Sequence, residues 1–182
     1  MRFGKTPQIV KERERAERQE EVNVSDQELG ELKKYMMEGT LVGASDGSVM
    51  GDKKAISVWM GDKETGEGIM ISEGVPGYPH DSGRAELAGP IVSLRTLRKI
   101  EEKYGVVGEV DMWTDSMETL RVYKKGRVKK LPSRSCARNV DMRLQLEELK
   151  ETYGDVLEMK KVEAHQDKRK RYENMEFEEK RN

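Results

Sequence analysis

The chain has 182 residues, of which 38% are charged and 35% hydrophobic, with a formal net charge of −1 and a mean hydropathy of −0.87. That length fits one domain plus an appendage, and that polarity supports a modest core over only part of the chain. The single cysteine, Cys136, excludes an internal disulfide and fits an intracellular, reducing setting; no apolar run reaches about 18 residues, so no membrane-spanning helix is expected, nor a secretory leader from so charged an N-terminus.

Residues 11–21, KERERAERQEE, interleave both charges without an apolar stripe. Residues 1–38 are therefore expected to form a charged helical extension or linker. From residue 41 the texture changes. LVGASDGSV (41–49), KAISVWMGD (54–62) and GIMISEGV (68–75) predict three strands, the last two joined by the polar, glycine-bearing turn KETGEG. In SGRAELAGPIVSLRTLRKIEEKYG, Leu87, Ile91, Leu94 and Leu97 recur at three- and four-residue spacing and predict an amphipathic helix ended by Gly105. GEVDMWTDS predicts a fourth strand and METLRVYK a short helix. NVDMRLQLEELKETYG predicts another helix, with Met142, Leu146, Leu149 and Tyr153 on one face, and DVLEMKKVEAH a fifth strand. The order β-β-β-α-β-α-α-β describes an α/β fold, a mixed sheet of five strands flanked by helices, over residues 41–182.

Three acidic residues stand out by position. Asp46 interrupts an apolar strand, Glu86 lies at the start of the long helix, and Asp115 closes the fourth strand. Each has an ordinary alternative: Asp46 with Gly47 as a turn, Glu86 as a favourable charge near a helix N-terminus, Asp115 as an N-cap. If the first and fourth strands are parallel neighbours, however, Asp46 and Asp115 meet near the fourth strand's carboxyl end, where open α/β sheets place their sites. Carboxylates gathered there would repel unless a cation neutralised them. Oxygen donors without a cysteine–histidine cluster suit magnesium or manganese rather than zinc.

In chain order, ASDGSV, SGRAELAGPIVSL, MWTDS and VEAHQD resemble the successive motifs of the ribonuclease H family. GVPGYPHDSGRAELAG and HQD are most similar to ribonuclease H domains attached to retroelement reverse transcriptases. The resemblance covers roughly residues 41–182. It implies a divalent-metal-dependent endonuclease that cuts the RNA strand of RNA–DNA hybrids, with Asp46, Glu86 and Asp115 as ligands of two Mg2+ ions (or Mn2+), and a reverse transcriptase or other polymerase domain as a possible partner. Two such ions offset the phosphodiester's charge, activate water and stabilise the departing 3′ oxygen, leaving a 5′ phosphate and a 3′ hydroxyl. Asp46 is the expected shared ligand. By the same resemblance His165 helps product leave or shuttles a proton, whereas His80 carries no motif and is read as a loop residue.

Two departures qualify that expectation. The family's fourth carboxylate, a few residues after an asparagine in its last helix, has no counterpart before Asn182, so the domain is expected to be cut short there. Asp167, Glu178 or Glu179 are the candidate substitutes, and weaker binding at one metal site, or a non-catalytic nucleic-acid-binding module, is the alternative. Pro90 removes the N–H that would bond the Glu86 carbonyl, so the helix must start late or tolerate a kink beside the proposed ligand. Finally, VYKKGRVKKLPSRSCARN holds Lys124, Lys125, Arg127, Lys129, Lys130, Arg134 and Arg138 with no acidic residue, an expected phosphate-binding surface.

Overall fold

Local signals define each element of the computed structural model, which describes residues 22–77, 81–125 and 139–162. Helix α1 (Asp26–Glu38) opens on a capping box: the Ser25 hydroxyl accepts from the Glu28 N–H, and the Glu28 carboxylate accepts from the Ser25 N–H. It closes on Gly39, whose φ of 70° is a left-handed stop. Strands β1 (Leu41–Met50) and β2 (Lys53–Asp62) form a hairpin. Asp62 shapes the next turn by accepting from the backbone N–H of Glu64 and Thr65 and from the Thr65 hydroxyl, which leads into β3 (Gly68–Gly74). Helix α2 (Ser82–Tyr104) follows, then β4 (Val110–Thr114), α3 (Met117–Lys124), α4 (Val140–Tyr153) and β5 (Leu157–Lys161).

The sheet order is β3-β2-β1-β4-β5. The first three strands pair antiparallel, whereas β4 pairs parallel with both β1 and β5. This is the mixed five-stranded sheet expected from the sequence. Alternation along the strands splits the sheet into two faces. Ile56, Val58, Met60, Ile71, Met112 and Met159 share one core with Leu87, Ile91, Leu94 and Leu97 of α2 and Met142, Leu146, Leu149 and Tyr153 of α4. Val42, Ala44, Trp59, Trp113 and Val162 form a smaller cluster. Helix α2 begins at Ser82 and runs through Pro90 to Tyr104, so it does not start late to accommodate the proline.

Residues 22–38 differ from the expectation of a charged extension. Val22, Val24, Leu29, Leu32, Tyr35 and Met36 lie in the main core with the sheet and α2. Lys99 Nζ donates to the Val22 carbonyl at 2.9 Å, and the Tyr104 hydroxyl donates to the Asp26 carbonyl at 3.2 Å. The charge run that dominates residues 11–21 stops short of this helix, whose apolar residues recur at helical spacing. Residues 1–21 lie outside the described residues. Because α1 shares the core, removing its cap is expected to register in global unfolding. Ser25→Ala should cost about 1 kcal/mol in a denaturant titration; an unchanged midpoint would mean that α1 unfolds separately.

Candidate metal centre

The parallel register of β1 and β4 ends at Ser45 opposite Thr114. Asp46 is the next residue of β1 and Asp115 the residue that follows β4, so the topology alone sets their backbones side by side. Local roles that would occupy these carboxylates are taken by neighbours. Ser116 caps α3 by accepting from the Thr119 N–H, which leaves Asp115 out of the cap. Asp81 caps α2 by accepting from the Arg84 N–H at 2.8 Å. The β1–β2 turn falls at Gly51, not at Asp46, which lies within β1 opposite Ser57.

Glu86 arrives because α2 packs on β1 with almost nothing between the two backbones. A Cβ at Gly47 would lie 2.6 Å from the Glu86 nitrogen, and one at Gly89 would lie 2.4 Å from Ser45 Oγ. Both positions demand glycine through close approach rather than through φ. The Gly47 N–H near the Glu86 carboxylate works against the rise in its pKa.

The outcome is a cluster in which carboxylate oxygens of Asp46, Glu86 and Asp115 all lie within 4.8 Å of one another. Asp46 is exposed, and Glu86 and Asp115 are half-buried. Burial pushes Glu86 up to about 8, with repulsion from Asp115 and Asp46 adding to it and the Gly47 N–H opposing it. Its Oε2 is buried with no hydrogen-bond partner. A residue with an orphaned carboxylate oxygen, grouped with two further acids, fits a hard divalent cation. Oxygens around one Mg2+ stand roughly 3–4 Å apart, so modest side-chain rotation closes the set.

The raised Glu86 value sets a sign for pH dependence without metal. Folding holds the proton on Glu86 between its ordinary 4.5 and about 8. The associated stability is complete below 4.5 and is lost as pH rises through 8. Because the group is partly solvated, the discounted size is about 2 kcal/mol. Glu86→Gln should flatten this slope in chelator, measured by denaturant titration at several pH values; an equally steep slope in the variant would assign the pH dependence elsewhere.

Of the basic residues expected to meet phosphate, Lys124 ends α3 and Lys125 follows it, both exposed. Arg127, Lys129, Lys130, Arg134 and Arg138 lie outside the described residues, as do His165, His80, Asp167, Glu178 and Glu179. Sequence reasoning passed over Arg84 and Asn139. Arg84 is buried and bonds Asp141 through two guanidinium nitrogens. Asn139 is buried with a φ of 54°, sets its Oδ1 3.5 Å from Arg84 Nη1, and has no partner for Nδ2. Only the arginine two residues before Glu86 offered a signal.

The sequence matches no protein-family model and no curated protein. Among solved structures, LC11 ribonuclease H1, isolated from compost by a metagenomic approach, aligns with a TM-score of 0.51 at 18% identity, over 71% of this chain and 89% of that one. The same LC11 protein in complex with an RNA/DNA hybrid aligns at 0.49 and 17% identity, with the same shares of both chains. Ribonuclease H1 from the halophilic archaeon Halobacterium salinarum NRC-1 aligns at 0.44 and 16%, again over 71% and 89%. The first likeness agrees with the strand order and defines the architecture: this chain has a ribonuclease H-like fold.

Proposed function

We propose that this protein is a divalent-metal-dependent endonuclease that hydrolyses the RNA strand of RNA–DNA hybrids, leaving a 5′ phosphate and a 3′ hydroxyl. The convergence of Asp46, Glu86 and Asp115 from a strand, a helix and a strand end carries this reading. The ribonuclease H-like fold and the four sequence motifs support it.

In this reading the three carboxylates hold two Mg2+ or Mn2+ ions. Bound there, such ions supply charge neutralisation, an activated water and stabilisation of the departing 3′ oxygen. Asp46 is the proposed shared ligand, because β2 pairs along β1 on both sides of it and fixes its backbone. Gly47 lets the Glu86 turn approach β1 closely, and Glu86 releases its proton when a cation binds. His165 is proposed to shuttle a proton or assist product release. Lys124 and Lys125, with Arg127, Lys129, Lys130, Arg134 and Arg138, are the proposed phosphate contacts. The SGRAELAG and HQD motifs support a place beside a reverse transcriptase or other polymerase domain.

Labelled RNA–DNA hybrid, single-stranded RNA, single-stranded DNA and duplex DNA, each incubated with Mg2+, with Mn2+ and with chelator, test the proposal. The expected result is cutting of the RNA strand in the hybrid alone, abolished by chelator. Hybrid binding without cutting would replace the enzyme with a non-catalytic module of the same fold, and cutting of duplex DNA would replace the substrate.

A further inference from the structure

The turn of α2 that carries Glu86 is weak on its own terms. Gly83 is a poor helix former, and Pro90 offers no N–H to the Glu86 carbonyl. The half-buried Glu86 stands beside two other acids, and its Oε2 has no hydrogen-bond partner. Gly47 and Gly89 contribute no side chain that could grip it. The Asp81 cap and the buried Ala85 and Leu87 hold the helix end from one side.

Arg84 also has the contacts to do so. It is 3% exposed, and its guanidinium reaches two segments far from it in sequence, the strap at Pro76 and the start of α4. Nε donates to the Pro76 carbonyl at 2.7 Å. Nη1 donates to Asp141 Oδ1 at 2.8 Å, and Nη2 to Asp141 Oδ2. The Asn139 Oδ1 lies 3.5 Å from Nη1. Gly77 presses against the same group, since a Cβ there would lie 2.5 Å from Nη2. Lys54 Nζ donates to the Gly77 carbonyl, so two buried cations hold consecutive carbonyls of this strap. A bidentate guanidinium–carboxylate pair resists rotation in a way that a lysine cannot.

We infer that Arg84 is a positioning residue for the carboxylate centre: by locking the first turn of α2 to the start of α4 and to the strap at Pro76 and Gly77, it holds Glu86 beside Asp46 and Asp115 before any cation binds. The inference deepens the metal-dependent reading and rests on it. A site assembled in advance binds its cation without first ordering its ligands.

Arg84→Gln and Asp141→Asn test this, with Leu32→Ala as a destabilised control whose cavity lies in the α1 core. Amide hydrogen exchange in chelator is read at residues 86–89 and at residues 97–103 of the same helix. Both clamp variants should exchange about ten-fold faster at 86–89, with 97–103 little changed. In calorimetric titration with Mn2+ alone they should bind about ten-fold more weakly than the parent, whereas Leu32→Ala should bind like it. Unchanged exchange at 86–89, an equal rise at both ends, or parental Mn2+ affinity in both clamp variants would overturn the positioning role. Should the parent itself take up no Mn2+, the metal reading falls, and the exchange pattern alone decides whether Arg84 holds this turn. Asp141→Asn keeps the arginine and its Pro76 bond, so it remains informative if Arg84→Gln does not fold.

Discussion

Asp46→Asn is expected to reduce hybrid cleavage by roughly three orders of magnitude while leaving hybrid binding within about two-fold. The amide keeps the shape of the side chain but removes the charge proposed to be shared between two cations. Asp46 is exposed, so the amide itself meets water. It also relieves repulsion within a set of oxygens lying inside 4.8 Å. The thermal midpoint in chelator should therefore rise, by roughly 2 °C. Opposite movement of activity and stability is the signature of a site assembled against its own electrostatics. Cleavage within about ten-fold of the parent would remove Asp46 from the proposed chemistry.

Gly47→Ala should be nearly as damaging for a different reason. The new methyl would lie 2.6 Å from the Glu86 nitrogen and 2.8 Å from the Ala85 carbonyl carbon, both backbone atoms that cannot swing aside. The helix must lift or β1 must bend, at a cost of about 3 kcal/mol. Either movement carries Glu86 away from Asp46, so Mn2+ binding in a calorimetric titration should weaken by at least about ten-fold. Gly74→Ala is the matched control, because a Cβ there meets nothing within 4 Å; its stability should stay within about 0.5 kcal/mol. If Gly47→Ala unfolds at the parental denaturant midpoint and binds Mn2+ as tightly, close backbone packing does not set this site.

Much of the architecture was legible because it is written in short-range patterns. Leu87, Ile91, Leu94 and Leu97 mark one face of α2 at the spacing of a helix. KETGEG marks the β2–β3 turn, which Asp62 and Thr65 shape as such a polar stretch should. A helix in residues 1–38 was expected, but not its place in the core: Ser25 and Glu28 stand at capping-box spacing before Leu29, Leu32 and Met36, which pack against the sheet. The pairing of Arg84 with Asp141 was beyond reach, since no local pattern pairs residues separated by 57 positions.

By itself the sequence determined which acids the chain owns, on which kind of element each sits, and in what order they come, because those properties depend on neighbours a few residues apart. Only the tertiary structure decided that Asp46, Glu86 and Asp115 meet, that Glu86 is half-buried with an unpartnered oxygen, and that the Arg84 guanidinium bonds both Pro76 and Asp141. The meeting of the three acids follows from the parallel register of β1 with β4 and from two glycines that let a helix touch a strand. Distances of that kind are set by the packing of segments far apart in the chain, which no periodicity encodes.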